Sequence, residues 1–125
     1  MSYDKYVNFE VLKGLTLIKV DVGDTMITFV ADTGEVFEMY HDQNCCESVY
    51  VESVVGDIED LIGEEILVAE ESSSGDNPIG AKVPEYQDSF TWTFYKLATR
   101  KGYVDIRWYG ESNGYYSEGV SMYRV

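Results

Sequence analysis

Short segments rich in β-branched and aromatic residues, separated by turns that contain glycine and aspartate, run through most of this chain. Residues 15–22, 25–31 and 35–40 are three such segments, with Gly23-Asp24 and Asp32-Thr33-Gly34 between them. β-branched and aromatic side chains favour strands, and glycine and aspartate favour the tight turns that join antiparallel neighbours. The first third of the chain is therefore predicted to form an antiparallel meander.

The C-terminal third shows a clear two-residue alternation. Residues 89–99 place Phe90, Trp92 and Phe94 on one face, and residues 103–109 follow after an Arg-Lys-Gly turn. In the second segment, one face is apolar and the other carries the four residues Tyr103, Asp105, Arg107 and Tyr109. A further segment, 115–125, follows another glycine-containing turn. Alternation of this kind predicts three consecutive hairpin-connected strands at the centre of the sheet.

The middle of the chain changes its periodicity once. Residues 49–52 alternate as a strand, whereas 57–62 have apolar residues at helical spacing, with Asp57 as a candidate cap and Gly63 as a stop. Residues 66–68 are predicted to return to a strand that ends at Glu70-Glu71. We expect a single domain over residues 1–125 of the α+β class, mostly antiparallel β-sheet with one short helix near 57–62.

Two segments are ambiguous or irregular. Residues 3–12 suit either a short helix or a strand, because apolar side chains occur at both spacings. Residues 72–78, with three serines, a glycine and a proline, are typical of an exposed loop.

Charge is distributed unevenly along the chain. The net charge is −14, and 16 of the 23 acidic residues lie within residues 20–81, where neither lysine nor arginine occurs. Such a field repels nucleic acid and acidic membranes, so we expect no direct nucleic-acid binding and no membrane association. It favours a partner with a basic surface, cations or the role of a nucleic-acid mimic, although acidity that serves only solubility is the simpler alternative.

The compartment is predicted from three features. No apolar run approaches the roughly 20 residues of a membrane helix, and the N-terminus lacks a basic region followed by an apolar stretch. The two cysteines are adjacent, and the small ring formed by bridging neighbours departs from ordinary disulfide geometry. We therefore expect reduced thiols and a cytoplasmic protein.

Residues 41–47 gather the chain's one histidine and both cysteines beside two acids. The candidate binding residues there are His41, Asp42, Cys45, Cys46 and Glu47. A zinc site is disfavoured because adjacent cysteines in a strand point to opposite faces, and a cysteine nucleophile is disfavoured because the acids oppose a thiolate. We predict no metal, no cofactor and no catalytic residue, and leave open whether the cluster is a site or a structural turn.

A second candidate surface is the tyrosine-rich face near the C-terminus. Arg107 lies between tyrosines, and Arg124 is expected nearby in the last strand. An arginine fork beside aromatic rings suits a phosphate or a base, whereas a salt bridge from Arg107 to Asp105 is the structural alternative. The candidate binding residues on this surface are Arg107, Tyr109, Tyr115 and Tyr116.

Three segments together resemble a family of small uncharacterised proteins carried by phages and bacteria. They are HDQNCCESV at residues 41–49, GDIEDLIG at 56–63 and WYGESNGYYS at 108–117. The resemblance implies no activity and transfers no catalytic residue. It implies a phage or prophage accessory protein in a bacterial cytoplasm, and by analogy small acidic phage proteins bind host factors, including defence proteins.

These observations favour a non-enzymatic binding protein, a candidate inhibitor of a host defence or other host factor, with a basic host protein as its partner. The alternatives are a protein that sequesters a small ligand or nucleotide near Arg107, and a metal or thiol site centred on residues 41–46. Homo-oligomerisation stays open.

Overall fold

The computed structural model describes residues 5–114 and 116–125 and arranges them in two antiparallel sheets. The strands are β1 (Lys5–Val7), β2 (Leu17–Val22), β3 (Met26–Ala31), β4 (Val36–Tyr40), β5 (Ser48–Val55), β6 (Val68–Ser74), β7 (Ser89–Thr99), β8 (Gly102–Ser112) and β9 (Ser121–Arg124). The first sheet has the order β1-β9-β4-β3-β2, and the second has the order β5-β8-β7-β6. Helical structure in the described residues is limited to two 3-10 turns, Phe9–Leu12 and Ile58–Leu61. The predicted antiparallel character is confirmed, and the α+β label is marginal, because the protein is mainly β.

The predicted meander forms half of the molecule. Strands β2, β3 and β4 pair in sequence order, and Phe29 of β3 lies opposite Phe37 of β4. Alternate residues of β3 and β4 are buried, as the period of two requires. The first sheet therefore presents one apolar face to the second.

The hairpin of β7 and β8 is confirmed, but the position of the last strand differs from the prediction. β9 is a four-residue strand that pairs with β4 and β1 in the first sheet. The edge of β8 that faces away from β7 is occupied by β5, so no place beside β8 is left for β9. Met122 of β9 is buried, which adds apolar burial to the crossover.

Both sheets contribute to one core. Its buried members from the first sheet include Leu17, Phe29 and Met39, and those from the second include Leu97 and Trp108. The two 3-10 turns add Leu12 and Leu61, both without exposed surface. Such packing of two inner faces is the β-sandwich arrangement.

The predicted helix near 57–62 exists as a single 3-10 turn. Asp57 accepts a hydrogen bond from the Glu59 backbone N–H at 3.0 Å, and Gly63 has a φ of 82°. Both the predicted cap and the predicted stop are thus confirmed. The turn goes no further because Ile62 already forms a bridge with Leu17 of β2, which returns the chain to an extended conformation.

The end of β6 differs from the sequence prediction. β6 continues through Ser72, Ser73 and Ser74, which pair with β7 rather than lying in a loop. The long strand β7 supplies a template for this extension, which serine-rich composition does not predict. Residues 5–12 contain both structures that the pattern allowed, a strand and a 3-10 turn.

No helix among the described residues has the length and apolarity to cross a membrane.

Candidate functional site

The outer face of the second sheet carries a groove of about 510 Å³. Register between strands aligns two rows of side chains across the four strands, and alternation turns both rows away from the core. One row is Ser72, Phe94, Arg107 and Ser53, and the other is Glu70, Lys96, Asp105 and Val55. We call these eight residues the outer groove.

Arg107 is held at the floor of the outer groove by Glu52. Its Nε donates to Glu52 Oε2 at 2.6 Å and its Nη2 donates to Oε1 at 3.0 Å. Its guanidinium also lies over the Trp92 ring, 5.1 Å from the centroid. The predicted salt bridge from Arg107 to Asp105 is not formed. A register shift between Val51 and Ser53 instead places Glu52 beside Arg107. The fork expected to hold an anion is therefore already engaged with a carboxylate.

Arg124 does not lie near Arg107. It belongs to β9 in the first sheet, with its guanidinium 3.2 Å from Glu35 Oε2 and 5.7 Å from the centre of the Phe37 ring. The prediction that Arg107 and Arg124 lie near each other is wrong, because β9 pairs with strands of the first sheet and not with β8.

The second row of the outer groove is charged and open. Lys96 lies between Glu70 and Asp105 in register, and in residues 5–114 and 116–125 none of the three forms an ion pair. Val55 is 55% exposed at one end of this row. The outer groove thus combines apolar surface with carboxylates that are available to a ligand.

Tyr109 shares the outer face but is covered. Gln87 donates to the Tyr109 hydroxyl at 2.9 Å, and Asn77 accepts from Trp92 Nε1 at 3.0 Å, so residues 75–88 lie over both rings. The Tyr109 hydroxyl donates to Glu111 Oε2 at 2.7 Å. Burial, together with Glu111, raises the pKa of Tyr109 to about 12. The tyrosine expected on an open binding surface is therefore 2% exposed and serves to hold the covering segment.

The other tyrosines of the predicted surface are dispersed. Tyr103 is 56% exposed, and Tyr116 is half-buried, with its carbonyl accepting from Ser112 Oγ at 3.3 Å. Tyr115 lies outside the described residues. The structure does not assemble these tyrosines around Arg107.

The segment 41–47 between β4 and β5 is organised by a buried carboxylate. Glu47 Oε2 is 2.9 Å from His41 Nε2, and both side chains are almost fully buried. Glu47 also accepts from the backbone N–H groups of Asn44 at 3.1 Å and Cys45 at 2.8 Å, and from Gln43 Nε2 at 3.1 Å. Burial raises the pKa of Glu47, but the hydrogen bonds from Cys45, His41 and Asn44 outweigh it and lower the pKa to about 2.

His41 joins this segment to the approach to β9. Its Nδ1 lies 2.6 Å from the carbonyl oxygen of Gly119, while its Nε2 faces Glu47. A carbonyl oxygen only accepts a hydrogen bond, so Nδ1 donates to Gly119, and Nε2 lies within hydrogen-bond distance of the Glu47 carboxylate. Asp42 accepts a hydrogen bond from the hydroxyl of Tyr123 in β9. His41 and Asp42 therefore tie the loop to the first sheet.

The two cysteines are bonded to each other, which overturns the expectation of reduced thiols. They lie in a bend rather than a strand, so their side chains point to the same side, and both residues are exposed. The structure thus brings five predicted site residues together, His41, Asp42, Cys45, Cys46 and Glu47, in one loop. In this arrangement the sulfur atoms and both ring nitrogens already have partners, and the described residues contain no group of acids, histidines and cysteines placed to hold a metal ion.

Sequence reasoning missed most of the outer groove. Alternation places Phe94 on one face of β7 and Arg107 on one face of β8, but only the register shows that they lie side by side. The contribution of β6 was hidden because its serines were predicted as a loop.

A family model described as a domain of unknown function (DUF7448) matches residues 10–122. The chain belongs to this family. The expected membership of an uncharacterised family is thereby confirmed. Neither the curated proteins nor the solved structures include a significant match. The DUF7448 match extends from the first 3-10 turn into β9, so it contains both the outer groove and the loop 41–47.

Proposed function

We propose that this DUF7448 protein is a non-enzymatic binding protein whose outer groove receives a basic, partly apolar segment of another protein. The observation that carries the proposal is the make-up of the outer groove. The unpaired carboxylates of Glu70 and Asp105 lie beside the apolar surface of Phe94 and Val55. A ligand that matches this surface offers a lysine or arginine next to an apolar side chain.

The charge of the whole molecule supports the same class of partner. A net charge of −14 produces a long-range field that accelerates encounter with a basic surface. The groove volume lies in the range of about 300–1,000 Å³ that encloses small ligands or a few side chains. Lys96 lies between the two carboxylates in register but forms an ion pair with neither, so both carboxylates are open to a basic segment.

The absence of catalysis is part of the proposal. Its support is that the candidate nucleophiles and base of the loop 41–47 are engaged with one another or with the backbone. A general base needs a lone pair within reach of substrate, and His41 directs both nitrogens to internal acceptors.

We extend the proposal to a biological setting on the resemblance alone. A phage or prophage accessory protein in a bacterial cytoplasm, acting on a basic host factor such as a defence protein, fits an acidic surface with an open groove. Co-expression with bacterial defence systems, scored by phage plating, tests this extension separately from the groove itself.

Binding of basic peptides tests the groove directly. We expect a fluorescein-labelled decapeptide of alternating lysine and valine to bind, measured by anisotropy, and a glutamate–valine counterpart not to bind. Exposed charges are screened over a Debye length of about 8 Å at physiological salt, so affinity for the basic peptide should fall as salt rises. Glu70→Lys with Asp105→Lys is expected to weaken binding by about tenfold, because each exposed pair contributes roughly 0.2–1 kcal/mol and reversal adds repulsion.

A matched control separates the groove from general acidity. Asp32→Lys with Glu59→Lys changes the net charge equally, and both residues are exposed outside the outer groove. We expect the control to retain most of the peptide affinity. Equal losses in the two double variants would show that the groove has no role of its own, and binding independent of salt would contradict the electrostatic mechanism.

The nucleotide alternative is tested at Arg107. Because Glu52 and Trp92 already engage its guanidinium, we expect calorimetry to detect no binding of ATP or GTP at micromolar affinity. Arg107→Ala should remain folded and lose about 1 kcal/mol of stability, from one partly exposed ion pair and one cation–π contact. Micromolar nucleotide binding that Arg107→Ala abolishes would overturn this assignment and favour sequestration.

A further inference from the structure

The exposed bend between β4 and β5 holds a bonded pair of neighbouring cysteines. We propose that Cys45 and Cys46 form a reversible dithiol site, which neutral thiols open and which then binds one thiophilic centre, such as a trivalent arsenical, through both sulfurs. This site is separate from the outer groove, and it does not rest on the function proposed for that groove.

The loop is fixed by contacts that do not involve sulfur. The backbone N–H of Cys45 donates to Glu47 Oε1 at 2.8 Å, and Gln43 Nε2 donates to the Cys45 carbonyl at 3.2 Å. Gln43 Nε2 also donates to the Glu47 carbonyl at 2.6 Å, and Glu47 is paired with the buried His41. Opening the S–S bond breaks none of these contacts, so the bend persists and keeps the two thiols on one side.

Access and charge determine which reagents react. Both cysteines are exposed, so an attacking thiol reaches either sulfur without unfolding of the loop. The carboxylate of Asp42 lies in the same loop of a protein with a net charge of −14. Thiols that carry further negative charges are repelled by this field more strongly than dithiothreitol, whose only charge is that of the attacking thiolate.

Opening follows ordinary thiol–disulfide exchange. A thiolate of dithiothreitol attacks one cysteine sulfur, a mixed disulfide forms and the other cysteine leaves as a thiolate. The second thiol of the reagent then closes its own ring and releases the first cysteine. Dithiothreitol is oxidised and the protein disulfide is reduced by the same two electrons.

Binding by the open form needs no redox change. Phenylarsine oxide forms two arsenic–sulfur bonds, and its oxygen leaves as water with the two thiol protons. Because the loop already holds the sulfurs together, the second bond forms within the molecule. A second, intramolecular contact of this kind raises affinity by a factor of about 100 or more over one sulfur alone.

Intact-mass measurement on the full chain tests both steps. We expect the protein purified in air to take up no carbamidomethyl group from iodoacetamide under denaturing conditions, and two after dithiothreitol. The reduced, folded protein should bind one phenylarsine oxide and become resistant to alkylation. Cys45→Ser and Cys46→Ser, each checked for native circular dichroism, should bind the arsenical about 100-fold more weakly.

Two results would overturn the proposal. Uptake of two carbamidomethyl groups without any reductant would show that the disulfide does not form. An arsenical affinity of the reduced wild type equal to that of the single-serine variants would show that the loop does not present the two sulfurs together.

Discussion

Glu47→Gln is expected to lower the stability of the protein at neutral pH and to remove part of its sensitivity to acid. In the folded protein, burial raises the pKa of Glu47, but hydrogen bonds led by the Cys45 N–H and His41 lower it to about 2, from an ordinary value of 4.5. A carboxyl group with a depressed folded-state pKa stabilises the protein fully above its unfolded-state pKa. That contribution is lost as the pH falls from 4.5 through about 2.

The measurement is urea unfolding of both proteins, followed by circular dichroism between pH 7 and pH 2. The difference in unfolding free energy should be largest at neutral pH and should shrink steadily below pH 4.5. Glu70→Gln is the control, because it removes an exposed carboxylate that forms no ion pair in the described structure. Its effect should stay within about 0.5 kcal/mol. A difference in unfolding free energy between the wild type and Glu47→Gln that does not change with pH would contradict a stabilising role of the ionised Glu47 carboxylate.

The buried pair of Glu47 and His41 explains why the polar cluster could be noticed but not interpreted from the sequence. His41 lies six residues from Glu47 along the chain and 78 residues from Gly119, its other partner. Composition identifies unusual residues within a short segment, whereas burial and a distant carbonyl partner depend on how β9 returns to the first sheet. The cluster joins β4, β5 and the approach to β9, so the side chains of His41 and Glu47 are directed inward while Cys45 and Cys46 stay exposed.

Local pattern predicted most strands correctly because alternation is a local property. It placed Phe90, Trp92 and Phe94 on one face of β7, and Val104, Ile106 and Trp108 on one face of β8. It could not show that these two faces are opposite sides of the sheet, since that depends on register. Consequently Trp92 lies under residues 75–88 while Trp108 lies in the core.

Choice of partner strand was the main source of error. β9 was predicted beside β8, but β5 occupies that edge, and β5 comes from a segment more than 50 residues earlier. Because β9 lies in the first sheet, Arg124 pairs with Glu35 and is not near Arg107. Because β5 lies beside β8, Glu52 is the partner of Arg107. Hydrophobic periodicity describes only neighbours along the chain, so it does not predict which strands pair when they are this far apart in sequence.

Trp108→Ala is expected to cost the most stability of any substitution considered for this protein. The side chain has no exposed surface and packs in the core between the two sheets. Truncation of a buried tryptophan typically costs about 3–5 kcal/mol, from lost burial and the cavity left behind. A domain of this kind has a total stability of about 5–15 kcal/mol, so urea unfolding should show a fully or nearly unfolded variant at the weak end of that range.

Two variants of β8 show whether the loss comes from core packing. Tyr103→Ala removes a large ring that is 56% exposed on the outer face, and its effect should stay within about 0.5 kcal/mol. Trp108→Phe keeps most of the volume and removes an indole N–H that has no hydrogen-bond partner in the described structure. A buried donor without a partner destabilises the folded state by about 1–3 kcal/mol, so removing the indole N–H offsets part of the stability lost with the smaller ring. The decrease in unfolding free energy for Trp108→Phe should therefore be less than half of the decrease for Trp108→Ala. Equal losses for phenylalanine and alanine would mean that the indole N–H has a partner and that hydrogen bonding, rather than volume, holds Trp108 in the core.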